Sequence, residues 1–144
     1  MIIKRAFEEL TSLGGVLFYI IVVITLFTLN KQHESVQLIA GLLIIYVVTL
    51  LIRVVYFKKR PESMVHSSFL GRIDASSFPS VHSARAVLLA IFIAKLTGYN
   101  LIISISAALV ALMVCYSRIY LKKHDAVDVI GGIILGILIS VILA

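Results

Sequence analysis

The chain alternates long uncharged apolar runs with short polar breaks. The first run covers 11–30 and the second begins at 35, with only Lys31-Gln32-His33-Glu34 between them. Roughly 18 or more apolar residues are needed to cross ~30 Å of hydrocarbon, so the pattern predicts two membrane helices joined by a tight turn. The second helix is expected over 35–57, with Arg53 at the membrane border, because nothing breaks it before Pro61 and only the residue ahead of a proline is forced out of the helical region. A segment rich in Ser, Gly, Pro and charge follows over 58–80, long enough to suggest a functional loop. Three more spans are predicted over 81–97, 101–117 and 125–144. The first of these carries Arg85 and Lys95 near its ends, where long side chains can reach the interface; Arg85 also lies near the end that carries His82, and its assignment stays open between the two. Residues 1–10 set Ile2, Ile3, Phe7 and Leu10 against Lys4, Arg5, Glu8 and Glu9, the pattern of an interfacial helix. The fold expected is all-α, a polytopic membrane helix bundle with about five transmembrane helices and one longer polar loop, with 1–144 as a single integral membrane domain. Gly132 and Gly136 give the last span a GxxxG spacing, which lets a neighbouring helix approach closely.

Composition agrees with the pattern. Of the 144 residues 61% are hydrophobic and 14% charged, with a mean hydropathy of +1.12. Soluble domains lie near half apolar and a quarter charged, so an ordinary soluble globule is excluded. The net charge of +6 is compatible with nucleic acid, an anionic lipid surface or an anionic substrate, and so apolar a chain argues against nucleic acid. The lone Cys115 lies in an apolar run and reads as packing. Lys4 and Arg5 precede a run long enough to span, with no small-residue cleavage site after it, which is not the pattern of a cleavable leader. With five alternating spans, all the Lys and Arg residues except Lys31 and Lys95 fall on one face. The positive-inside rule makes that face cytoplasmic.

The same alternation gathers three remote segments on that face: Arg53 with Arg60-Pro61, Pro79-Ser80-Val81-His82-Ser83, and Ser117-Arg118 followed by His124 and Asp128. Arg53 and Arg60 are two helical turns apart and share a face if the helix extends that far. His124 and Asp128, four apart on a helix, are neighbours. The carboxylate can then accept a proton from one imidazole nitrogen and leave the other as a basic lone pair, as a nucleophilic histidine requires. Three arginines exceed what one carboxylate neutralises, so the set calls for a polyanion, and phosphate matches the planar fork of Arg. Ser80 and the first amides of the third span add donors, since helix N-termini favour anions. Taken singly, each residue has an ordinary structural reading: Arg53 as an interface residue, His82 as a cap, His124-Asp125 as a helix start. Lys58, Lys59, Arg72, Lys122 and Lys123 are assigned to headgroup attraction or topology. His33 and His66 show no partner pattern, and no metal-ligand spacing is present.

These residues resemble the signatures of the type 2 phosphatidic acid phosphatase superfamily, membrane lipid phosphatases with a site related to that of vanadium haloperoxidases. Its Lys-x6-Arg-Pro, Pro-Ser-Gly-His-Ser and Ser-Arg-x5-His-x3-Asp appear as Arg53-x6-Arg60-Pro61, Pro79-Ser80-Val81-His82-Ser83 and Ser117-Arg118-x5-His124-x3-Asp128. The resemblance implies that His124 attacks phosphorus to form a phosphohistidine, that Asp128 orients it, and that His82 protonates the leaving oxygen. Arg53, Arg60, Arg118, Ser80 and the Val81 amide would hold the phosphate, and no metal or other cofactor would be needed. Arg53 replaces the usual Lys. Val81 replaces a Gly, and a β-branched residue does not readily adopt positive φ. The implied activity is hydrolysis of a lipid phosphate monoester or diphosphate, with polyprenyl diphosphate, phosphatidylglycerophosphate and phosphatidic acid as candidates. The alternatives are a lipid phosphotransferase and a non-catalytic lipid-binding or transport protein.

Overall fold

A computed structural model describes residues 2–62, 71, 73 and 75–144; His66 and Arg72 lie outside them. Its helices are α1 (Ile2–Ser12), α2 (Val16–Thr28), α3 (Gln32–Val55), α4 (Val81–Leu96), α5 (Leu101–Tyr120) and α6 (Ala126–Ile142). The all-α architecture matches the expectation, with α2 to α6 at the five predicted places. Among the described residues α3 and α5 are long and apolar enough to cross a membrane alone, and α1 with α2 makes a third such unit.

The run 11–30 is not one helix. It breaks at Leu13-Gly14-Gly15, and α1 and α2 meet there at 43°. Two successive glycines are poor helix formers, and Gly14 is pressed into the bundle: a Cβ on it would stand 2.7 Å from the Val114 side chain and 3.1 Å from the His82 carbonyl. Beyond the break α1 lays its apolar side on the end of α5, with the Phe7 ring 4.4 Å from Tyr120 and 5.7 Å from Tyr116.

The second span also stops early, at Val55 rather than 57. Tyr56 is extended, and the next residues pair with the chain just ahead of α4 instead of continuing the helix. Lys59 bridges Ser76, the Ser77 amide donates to the Lys58 carbonyl at 2.8 Å, and Ser76 Oγ accepts from the Lys58 amide at 3.3 Å. These bonds satisfy backbone groups that a longer helix would have satisfied internally.

The core lies between α2, α3, α4 and α6, where Tyr19, Leu38, Ile45, Leu88 and Ile139 are almost fully buried. Tyr19 Oη inside it donates to the Leu38 carbonyl at 2.8 Å. The GxxxG pair of α6 sits on α4. A Cβ on Gly136 would come within 2.6 Å of the Ala84 carbonyl oxygen, and one on Gly132 would overlap the Ser80 carbonyl oxygen. The expected close backbone approach is therefore made between these two helices.

Replacing Gly132 with Ala should lower stability by about 1–3 kcal/mol, the usual cost of overpacking. This would appear as a lower Tm of the detergent-purified protein, and an unchanged Tm would contradict the packing described.

Candidate active site

The contact between α4 and α6 builds one end of the bundle. The Ser80 amide donates to the Asp128 carbonyl at 3.0 Å, so the first residues of the two helices are tied together. At the end of α5 the Arg118 carbonyl accepts from the amides of both Lys123 and His124 at 3.1 Å, which folds His124 back beside Arg118. Three segments distant in sequence thus wall a cavity of about 430 Å³. Arg53, Arg60, Val81, His82, Arg118 and His124 line it, as do Tyr46, Thr49 and Arg85. No carboxylate is on its wall among the described residues. Nor do three or more His, Cys, Asp or Glu side chains gather among the described residues as a metal would require.

His124 lies ahead of α6 rather than on it, because Asp125 is the N-cap. Asp125 and Asp128 form a reciprocal capping box: the Asp128 amide donates to Asp125 Oδ1 at 3.0 Å and the Asp125 amide to Asp128 Oδ2 at 3.1 Å. His124 Nδ1 faces Asp128 Oδ2 across 3.5 Å, an open contact rather than the hydrogen bond the spacing suggested. Burial, and after it Arg118 and Arg60, pull the His124 pKa down to about 4, against a smaller upward pull from Asp128. Near neutral pH the imidazole is therefore uncharged and its lone pair is available.

Asp128 is fully buried and its other oxygen is occupied by Lys58. The Nζ of Lys58 lies 2.8 Å from Asp128 Oδ1 and 2.7 Å from Asp125 Oδ2. Burial lowers the Lys58 pKa, but its hydrogen bonds to the two carboxylates outweigh that and raise it. In Asp125 burial acts upward and the Lys58 hydrogen bond prevails, holding the carboxyl low. Lys58 is thus a member of the site's frame and not the headgroup residue that its neighbourhood in sequence suggests. Lys123 pairs instead with Glu62.

Two of the expected phosphate ligands spend their polar atoms on the frame. Arg53 donates from Nε, Nη1 and Nη2 to the carbonyls of Phe78, Ile73 and Pro79 at 3.2–3.4 Å, which fixes the approach to α4. Ser80 is fully buried and caps α4, its Oγ accepting from the Ser83 amide at 3.4 Å and from Ser83 Oγ at 3.0 Å. Val81, where a glycine is usual, is the first residue of α4 and has no positive φ, so valine fits without strain. Arg118 donates from Nη1 to Thr11 Oγ1 at 3.0 Å, while its buried Nε has no partner among the described residues.

Sequence reasoning missed Lys58 and left Arg85 open between the interface and the site. Arg85 does not reach for the interface. It is 3% exposed and donates from Nη1 to Tyr46 Oη at 3.1 Å, with Nη2 3.4 Å from His82 Nδ1. The signals were spacing alone: Arg85 follows His82 by three residues, and Tyr46, Thr49, Leu50 and Arg53 recur along one face of α3.

Comparison with known proteins agrees with the geometry. The model of the PAP2 superfamily matches residues 36–144. The chain is 37% identical over 121 residues to undecaprenyl-diphosphatase BcrC of Bacillus subtilis, a match covering 78% of this chain and 57% of that protein. It is 36% identical over 90 residues to phosphatidylglycerophosphatase B of the same organism, covering 56% of this chain and 41% of the relative. The matches therefore span about half the length of these relatives. Among solved structures, Aquifex aeolicus LpxE superposes with a TM-score of 0.82 at 25% identity, covering 99% of this chain and 85% of that one. A PAP2-type phosphatidylglycerolphosphate phosphatase from Bacillus subtilis superposes at 0.77 and 24% identity, covering 98% and 74%.

Lys58→Met leaves the buried Asp128 without its cation and should cost about 1–3 kcal/mol, seen as a lower Tm, while Lys58→Arg should retain most of the stability. Equal Tm values for Lys58→Met and the unsubstituted protein would show that the pair is not structural.

Proposed function

This chain belongs to the PAP2 superfamily, and from that premise we propose that it is an integral membrane phosphatase hydrolysing a phosphate monoester or diphosphate of a lipid through a phosphohistidine on His124. One observation carries the reading: a cavity walled by two imidazoles and four guanidiniums, with no carboxylate beside them among the described residues. Two of these guanidiniums, Arg85 and Arg118, are buried, a concentration of positive charge that an anion offsets, and a tetrahedral phosphoryl group with several oxygens suits a set of Arg forks.

In this mechanism the phosphoryl group enters the cavity with its oxygens toward Arg60, Arg118 and the first amides of α4, including that of Val81. His124 has its Nδ1 toward Asp128, so the opposite nitrogen attacks phosphorus, and Asp128 stabilises the charge that develops on the ring. The arginines stabilise the transition state as charge spreads over the oxygens. Arg53 and Ser80 act from behind, holding the turn into α4 that carries Val81 and His82. His82 serves the leaving oxygen, protonating the alkoxide that a monoester releases and donating a hydrogen bond to the phosphate that a diphosphate releases. Water then cleaves the phosphorus–nitrogen bond and releases phosphate, with no metal or other cofactor in either step.

The candidate substrates are a polyprenyl diphosphate, phosphatidylglycerophosphate and phosphatidic acid; the two Bacillus subtilis relatives bear the names of the first two activities. The protein is read as a multi-pass protein of the cell membrane, with 1–144 forming one domain. Its site lies on the face that, among the described residues, collects every Lys and Arg except Lys31 and Lys95, and by the positive-inside rule that face is read as cytoplasmic.

Purified protein in nanodiscs should release phosphate from a panel of these lipids with chelator present, and His124→Ala should lower the rate at least ~10³-fold. The kcat/KM profile reports the free enzyme. His124 loses its lone pair only when protonated, so the acid limb should fall near its pKa of about 4 and not near the usual ~6.5. Lipid binding without turnover, or turnover that survives His124→Ala, would overturn the proposal.

A further inference from the structure

Arg85 is a buried cation that no carboxylate pairs with among the described residues. It reaches His82 from one helical turn further along α4, with Nη2 3.4 Å from Nδ1, while Nη1 is anchored on Tyr46 Oη at 3.1 Å. A guanidinium can only donate, so Nδ1 must be the acceptor and the single proton of the neutral ring lies on Nε2. That tautomer offers a hydrogen bond but cannot give its proton away, because an imidazolate would remain. A proton-donating His82 would be an imidazolium carrying N–H on Nδ1, directed at the N–H of Arg85. The two arrangements exclude each other.

This matters for the leaving group. A lipid phosphate monoester departs as an alkoxide, whose conjugate acid is about as weak as water and which therefore needs a proton. A lipid diphosphate departs as a phosphate monoester, whose last proton is lost near ~6, and which needs only hydrogen bonds and positive charge. The cavity supplies these. The Nε of Arg85 and the Oγ1 of Thr49 are buried without partners among the described residues, and both residues line it.

We infer that Arg85 is a positioning residue that sets selectivity: by occupying His82 Nδ1 it makes the site favour lipid diphosphates over lipid monophosphates. The inference rests on the phosphatase reading above and narrows its substrate class. In the reaction His124 forms a bond to the terminal phosphorus and the bond from that phosphorus to the bridging oxygen breaks. The electron pair stays on the bridging oxygen, which leaves in the lipid monophosphate with no proton transferred. Water then takes the phosphoryl group from His124 as inorganic phosphate.

The test compares a prenyl diphosphate with the prenyl monophosphate of the same chain, in nanodiscs, so that only the leaving group differs. The unsubstituted protein should prefer the diphosphate in kcat/KM by about 100-fold, the scale of one missing proton transfer. Arg85→Met should reduce that preference by at least about tenfold, mainly by raising kcat on the monophosphate once His82 Nδ1 is free to carry a proton, and Arg85→Lys should restore part of the preference. Tyr46→Phe, which removes only the anchor of Arg85, should shift the preference in the same direction by a smaller factor, and serves if Arg85→Met does not fold. Equal kcat/KM for both lipids in the unsubstituted protein, or a parallel fall on both in the variants, overturns the role of Arg85 and leaves the phosphatase reading standing. Turnover of neither lipid removes that reading and this inference with it.

Discussion

The first turns of α4 and α6 can touch because position 132 carries a hydrogen in place of a side chain. A Cβ there would overlap the Ser80 carbonyl oxygen, and the bond from the Ser80 amide to the Asp128 carbonyl would be lost. The contact places two helix N-termini, each with a positive dipole end, at the same end of the bundle as the C-terminal turn of α5. His82 comes with the first helix, His124 with the link into the second, and Arg118 with the third. In a bilayer such helices gain little from hydrophobic burial against one another, and close packing of small residues takes its place.

Around this contact the charges are segregated. The two carboxylates of the α6 capping box are bound by Lys58 and kept off the cavity wall. The wall carries Arg53, Arg60, Arg85 and Arg118. Within it the arginines divide their work: Arg53 holds three carbonyls ahead of α4, Arg85 holds Tyr46 and His82, and Arg118 keeps a buried donor without a partner among the described residues. Such an arrangement is costly when empty and is offset by an anion with several oxygens.

Much of this was legible in the sequence because membrane helices announce themselves by length and hydropathy, and alternation of direction then decides which ends meet. The meeting of Arg53, Arg60, His82, Arg118 and His124 followed from that alone. What the pattern could not convey was how individual side chains spend their donors. Arg53 and Ser80 are at the right place but are used by the backbone, and Lys58 acts through an ion pair between residues 67 and 70 positions apart. Helix ends were missed for a related reason. The break at Gly14 is set by contact with Val114 and His82, and the stop at Val55 by pairing with the Ser76 segment. The Asp125-x-x-Asp128 box was readable as a helix start, and it explains why His124 stands outside the helix that its spacing to Asp128 implied.

The central claim is that phosphorus is transferred to an imidazole of this cavity. The most direct measurement is rapid-quench trapping with lipid substrate carrying a labelled phosphoryl group, followed by peptide mapping under alkaline conditions that preserve phosphohistidine. The account predicts label on His124 in the unsubstituted protein, and none at that position in His124→Ala. Label on another side chain, or turnover with no covalent phosphate formed at any time, would contradict it.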